Sequence, residues 1–172
     1  PIIKSEILNI YRQAENLEFV LKILDDKTHF KMREDMISDK NEYFEKAIVH
    51  VGGKYEYFQN SELKLKHGDI FGEEMSILLD KEKYSNWNIL KEKKMILGYP
   101  CFKAESEYKS FDKNGNEIEI EVFAWFTPQI PISGGPLDFG GLPGLILEAG
   151  KKDQRIIFTA RNIEFNPDFS VV

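Results

Sequence analysis

Hydrophobic residues recur at every second position over much of this chain, and the runs are separated by short polar or glycine-containing stretches. This is the period of half-buried strands. Leu17 to Leu24 puts Leu17, Phe19, Leu21 and Ile23 on one face. Asp25-Asp26-Lys27 then supplies a polar turn before Thr28 to Met32, which predicts a first hairpin. Ala47 to Val51, Gly52-Gly53 and Lys54 to Phe58 predict a second, because Gly-Gly supplies the positive φ that a type I′ turn needs at both central positions. Glu62 to Lys66 and Asp69 to Phe71 add short strands, and Trp87, Ile89 and Leu90 mark another strand edge. Glu73 to Leu79 is too short to assign by periodicity. Apolar residues at 3, 7, 8, 10 and 11 fit either a short helix or a ragged strand over Ile3 to Asn16. Arg33 to Lys46 is charged without a period and reads as a solvated loop.

The pattern is clearest from Met95 onward. Phe102 to Phe111, the turn Asp112 to Asn116 and Glu117 to Phe126 predict the longest hairpin in the chain. A three-residue loop, Asn114-Gly115-Asn116, would set Lys113 opposite Glu117 and Lys109 opposite Glu121. It would set Ser110, Tyr108, Ser106 and Ala104 opposite Ile120, Val122, Ala124 and Phe126. A two-residue Asn-Gly loop would instead mix lysine and glutamate into the apolar face, so the three-residue register is expected. On the second strand, Glu117, Glu119 and Glu121 give way to Phe123 and Trp125 on the same face, a switch that marks where a covering element begins.

Ala124 to Glu148 holds four of the seven prolines and five of the twelve glycines. Proline fixes φ and removes a donor, so Thr127 to Gly144 is a shaped loop and neither helix nor ordinary strand. Leu142-Pro143-Gly144-Leu145 has the Pro and Gly positions of a type II turn, which requires positive φ at Gly144. Leu145 to Glu148, a polar turn and Arg155 to Ala160 form a final hairpin, and Asn162 to Val172 reads as a tail. About ten short strands with little helix imply an all-β fold, an antiparallel meander curved into an open half-barrel or bowl. The expected organisation is one domain over residues 1–172, with 1–16 as a lead-in and 163–172 as a peripheral tail.

Composition narrows the partners. Twenty-three basic against 29 acidic side chains give a net charge of −6, which argues against nucleic acid or an anionic membrane as the main partner. No run reaches the ~20 apolar residues of a membrane span. The single cysteine, Cys101, forms no internal disulfide.

Candidate chemistry is sparse. His29, His50 and His67 lack the spacing that would aim two imidazoles at one metal, so no metal or other cofactor is expected. Cys101 has no neighbouring histidine to activate it and reads as a small buried apolar residue. Glu117, Glu119 and Glu121 stand roughly 7 Å apart by strand rise, a spacing compatible with a glycosidase pair or a calcium patch. A solvated face partnered by Lys109 and Lys113 accounts for them more simply. Gly134-Gly135 and Gly140-Gly141 lack the following Lys-Ser/Thr of a phosphate loop. Trp87, Tyr99, Phe123 and Trp125 could line a concave apolar surface, with Pro131 and Phe139 on the loop as its rim. Ordinary core packing is the plain alternative.

Gly141-Leu142-Pro143-Gly144-Leu145-Ile146 spells GLPGLI, and this segment resembles the signature of the GLPGLI family of Bacteroidota-type bacteria. Trp87-Asn88-Ile89, Ile96 to Ala104, Ala124 to Pro136 and Arg155 to Ile163 are similar to that family's succession of motifs, in order. The likeness spans most of the chain from Trp87 onward, and Pro1 to Lys46 resembles the family only loosely. It implies an exported protein of uncharacterised activity. It also implies a fold similar to the bowl-like N-terminal module of some glycoamidase-type enzymes and to the half-barrel of periplasmic lipoprotein carriers. No catalytic role attaches to Gly141, Leu142, Pro143, Gly144, Leu145 or Ile146, which enter as a structural signature.

The expected function is a non-catalytic binding or carrier module for an apolar small molecule, an acyl chain or lipid, or a peptide. An interaction module docking a partner protein or catalytic domain is the alternative, and a hydrolase the third.

Overall fold

A computed structural model describes residues 2–33, 41–70 and 72–165. Its elements are α1 (Ile2–Ala14), β1 (Phe19–Leu24), β2 (Lys27–Met32), α2 (Glu42–Val51), β3 (Glu56–Gln59), β4 (Lys64–Ile70) and β5 (Glu73–Leu78). A 3-10 turn (Lys81–Tyr84) leads to β6 (Asn88–Ile96), β7 (Tyr99–Phe111), β8 (Glu117–Thr127), β9 (Leu145–Lys151) and β10 (Ile157–Thr159). The fold is mostly β, as the alternation predicts. The meander is divided between two antiparallel five-stranded sheets, β1-β2-β3-β4-β5 and β10-β9-β8-β7-β6, and neither closes into a barrel.

The chain forms two compact units. Unit 1 holds 1–85 and 134–140; unit 2 holds 86–133 and 141–172. In unit 1 the first hairpin forms around Asp25-Asp26, with Leu24 opposite Lys27 and Asp25 at φ 55. Phe19, Leu21, Thr28, Phe30, Tyr57 and Gln59 share one face by register. Phe19 stacks on Phe30 at 5.1 Å, and Phe30 meets Tyr57 edge-on at 6.4 Å. Ala47, Ile48 and Val51 of α2 are buried, as are Phe30 and Thr28.

The second predicted hairpin is instead a helix and its cap. The Asn41 side chain accepts from Phe44 N at 2.9 Å, and Phe44, Ala47, Ile48 and Val51 follow the helical spacing. Gly52 adopts the left-handed conformation at φ 78, and Gly53 N donates to Ile48 O at 2.8 Å. Gly-Gly therefore closes a helix C-terminus, and β3 pairs with β2 and β4. Glu42 to Lys46 is helical rather than loop; residues 34–40 of that predicted loop lie outside the described residues. Ile3 to Asn16 resolves as helix over Ile2–Ala14, and Tyr11 meets His50 of α2 edge-on at 5.7 Å. The two short strands predicted between Glu62 and Phe71 are one strand, β4, and Phe71 itself is outside the described residues.

In unit 2 the strand edge predicted near Trp87 extends as β6 through Ile96. It enters β7 by a two-residue turn at Leu97 (φ 51) and Gly98 (φ 81). The β7–β8 hairpin keeps the predicted face but not the predicted register. Phe111 opposes Glu117, Lys109 opposes Glu119, Tyr108 opposes Ile120 and Ala104 opposes Ala124, two residues displaced from the expected pairing. The cause is Asp112. Its carboxylate accepts from Asn114 N and Asn116 N, both at 2.8 Å, and from the Asn116 side chain at 3.0 Å; Asp112 N donates to Asn116 O. The loop therefore closes over five residues. A shift of two leaves every side chain on its own face, so Ala104, Val122 and Ala124 remain buried together.

The final hairpin pairs Ile157 with Gly150, a later register than the predicted turn implied. Residues 160–165 carry no regular element, and 166–172 lie outside the described residues. The type II turn at Gly144 is not formed: the left-handed glycine is Gly141, at φ 83, and Gly144 is not among those with positive φ. Gly144 is required by proximity, since a Cβ there would stand 2.2 Å from Thr127 O and 3.0 Å from Pro128 Cα.

Candidate functional site

β8 is the middle strand of the unit 2 sheet, and its alternation sets Val122, Ala124 and Phe126 in the core with Phe123 and Trp125 half-buried on the opposite face. The acidic-to-aromatic switch falls where β9 joins β8, because that pairing begins at Val122. Phe123 lies opposite Gly150, where a Cβ would come within 3.2 Å of its ring. Trp125 lies between Lys103 and Glu148 across the strands, with Lys94 Nζ 4.5 Å from its ring centroid.

Charges around the two rings are paired. Lys94 Nζ meets Glu148 Oε1 at 2.6 Å, and Glu148 also accepts from Thr159 at 3.2 Å. Lys103 reaches Glu105 at 3.1 Å, while Lys152 reaches Glu105 at 2.8 Å and Glu121 at 3.3 Å. Glu105 is held below the usual carboxylate range by its hydrogen bonds from Lys152 and then Lys103, and each lysine is pushed up by its bond to Glu105. The face thus carries two rings inside a frame of opposed, mutually paired charges.

The predicted site residues are dispersed. Phe123 and Trp125 are neighbours, and Tyr99 is half-buried on the same face of the sheet, four residues before Lys103 on β7. Trp87 precedes β6 and is half-buried, and Pro131 is exposed on the loop. Phe139 is buried in unit 1, stacked on Tyr84 at 4.8 Å. Of the GLPGLI residues, Leu142, Gly144, Leu145 and Ile146 are buried, while Gly141 and Pro143 are exposed.

Sequence reading missed a second constellation, in unit 1. Asp138 is buried; its carboxylate meets Lys83 Nζ at 2.8 Å and lies 3.4 Å from the Tyr84 hydroxyl, and its backbone carbonyl accepts from Lys64 Nζ at 3.3 Å. Gln59 donates to Phe139 O at 3.0 Å, and a Cβ at position 134 would stand 2.9 Å from Thr28 Cγ2. Burial pushes the Lys64 ammonium down and the Tyr57 phenol up, the latter reinforced by the Asp138 charge. Asp138 is one aspartate in a loop, and nothing in local pattern marks it; only the strand order brings Lys64 and Lys83 to it. Its partners are all held by structure, so the cluster fastens the 134–140 segment into the unit.

On the opposite face of the unit 1 sheet, His29 stacks on Phe58 at 4.2 Å and meets Glu56 at 2.7 Å. His67 Nδ1 lies 3.0 Å from Ser76 Oγ, with its Nε2 3.3 Å from Glu74 Oε2. This Ser-His-Glu succession follows from cross-strand pairing of His67 with Ser76. Its side chains are exposed, unlike the buried carboxylate that orients the histidine of a catalytic triad. Among the described residues no group of three or more His, Cys, Asp and Glu could hold a metal ion. The Cys101 thiol is buried, donates to Tyr99 O at 3.5 Å and is pushed up by desolvation, the behaviour of a packing residue rather than a nucleophile. A shallow groove of about 300 Å³ on α2, lined by Glu45, Lys46, Val49, His50 and Lys54, contains none of the predicted site residues.

No helix of the described residues is long and apolar enough to cross a membrane. Residues 105–148 match the family model Porph_ging, described as a protein of unknown function. No curated protein and no solved structure matches the chain. The matched segment starts in β7, contains β8 with Phe123 and Trp125, and ends within β9 at Glu148, so the aromatic face lies in the part of the chain similar to that family.

Proposed function

We propose that the protein is a non-catalytic binding module that holds an apolar group, an acyl chain or a peptide side chain, against Phe123 and Trp125. One observation carries this reading: two half-buried rings lie side by side on the middle strand of a sheet, enclosed by lysines and glutamates already paired with one another. Aromatic faces supply contact area with few rotamers to immobilise. The resemblance of Gly141–Ile146 to the GLPGLI signature adds an exported setting to the proposal, in keeping with such a carrier or capture role.

Native mass spectrometry of the protein purified from its source tests it, alongside Trp125→Ala. The expected result is a co-purifying acyl or peptidic species that the wild-type chain retains and Trp125→Ala loses at unchanged melting temperature. Equal retention by both proteins, or no bound species together with no change in tryptophan fluorescence on adding palmitate or a leucine-rich peptide, would overturn it.

A further inference from the structure

The β7–β8 hairpin outruns its sheet. β6 accompanies β7 only as far as Glu105, and β9 accompanies β8 only from Val122. Beyond these points Glu107–Phe111 and Glu117–Glu121 form a two-stranded arm of about 17 Å, and no third strand pairs with Glu117–Glu119 among the described residues. The direction of its main-chain groups is fixed at both ends. Lys152 N donates to Glu121 O from the β9 side, and Asp112 N donates to Asn116 O across the hairpin. By alternation, the N–H and C=O of Glu117 and Glu119 point away from β7, toward a position that no strand occupies among the described residues.

Natural sheets blunt such edges with proline, lysine, bulges or brevity. The other two edges of this sheet obey that rule: β6 carries Lys91, Lys93 and Lys94 and a register shift between Ile89 and Lys93, and β10 is three residues long. Glu117-Ile118-Glu119-Ile120-Glu121 carries no lysine, proline or bulge; its device is three exposed glutamates, which repel another acidic edge but not a basic one, and they alternate with β-branched isoleucines.

We infer that the outer edge of β8 at Glu117–Glu121 accepts an additional strand from a partner whose residues alternate basic and apolar. Glu117 already meets Lys109 Nζ at 2.8 Å across the hairpin, so on one face the added strand would set Lys or Arg beside Glu119 above all; on the other it would set apolar side chains beside Ile118 and Ile120. A second copy of this chain is disfavoured, because pairing two such edges about Glu119 places glutamate opposite glutamate. Leu63 to Lys66 has the complementary alternation, but it is consumed within its own sheet, bonded by β3 on one side and β5 on the other. The two surfaces meet at Glu121, which pairs with Lys152, but the added strand would engage Glu117 and Glu119 and leave Phe123 and Trp125 untouched, so the two assignments fail separately.

A seven-residue peptide alternating lysine and isoleucine, titrated calorimetrically into the full chain, tests this surface. Binding should weaken at least tenfold for Glu117→Lys/Glu119→Lys and for a peptide N-methylated at the positions facing the edge. Amide exchange at Glu119 should slow at least tenfold in the complex, and Trp125→Ala should bind the peptide as the wild type does. Equal affinity for a lysine–serine peptide, or indifference to N-methylation, would reduce the effect to charge attraction and overturn the inference. So would a dimer of the free protein in which Glu119 is already protected. An aspartate–isoleucine peptide that binds only the doubly substituted chain would support it, since charge reversal would have reversed the choice of partner.

Discussion

Gly144 lies where the loop returns to the sheet, with Thr127 O 2.2 Å from the place of a Cβ. Both the turn chemistry read from Pro143-Gly144 and the close approach seen in the fold demand glycine, but they predict different companions. A left-handed glycine tolerates asparagine, whereas a glycine required by proximity accepts no L side chain without backbone movement. Gly144→Ala is expected to lose about 1–3 kcal/mol, the usual range for overpacking, and Gly144→Asn should do no better. A urea-unfolding series checks this: recovery by asparagine would restore the type II turn, and an unchanged midpoint for alanine would remove the close approach. The residue type was legible in the sequence, but its cause was not, because Thr127 is distant along the chain and meets Gly144 only after β8 and β9 pair.

Among elements, α2 shows why a short apolar run is ambiguous. Ala47 to Val51 before Gly52-Gly53 predicts a hairpin strand, yet five residues cover too little of either period to separate strand from helix. What decides is the flanking sequence: Asn41 caps Phe44 N, Glu42 and Glu45 lie in the first turn, and Gly52 supplies the left-handed exit. Asn41→Ala should cost about 1 kcal/mol, and Asn41→Asp close to nothing, read as the thermal midpoint followed by helical ellipticity. Equal midpoints for wild type and Asn41→Ala would mean that the cap is dispensable and that packing of Ala47, Ile48 and Val51 alone sets the helix. The β7–β8 hairpin makes the complementary point. Alternation fixed its faces correctly, while the register depended on one carboxylate, Asp112, gathering three donors and so enlarging the loop.

For the whole molecule, the decisive feature is the route of the chain. After residue 133 it leaves the second unit, contributes 134–140 to the first, and returns at Gly141. Asp138, paired with Lys83 and bonded through its carbonyl to Lys64, fixes that visit. Asp138 is buried and Lys83 partly exposed, so removing the carboxylate by Asp138→Ala should cost about 1–3 kcal/mol, and the double substitution Asp138→Leu/Lys83→Met should recover most of it. Denaturant unfolding of the three variants measures this. A single substitution as mild as the double one would mean that water already reaches the pair.

By itself the sequence determined the mostly-β character, the first and last hairpins, the faces of β8 and the shaped loop, because alternation, proline and glycine act locally on φ, ψ and side-chain direction. Only the tertiary structure decided that the strands divide into two sheets, that Gly-Gly ends a helix, that Phe139 and Asp138 are core of the first unit, and that Trp125 lies framed by Lys94, Lys103 and Glu148. Those outcomes depend on which distant strands become neighbours, and a periodic pattern specifies a face without specifying what will cover it.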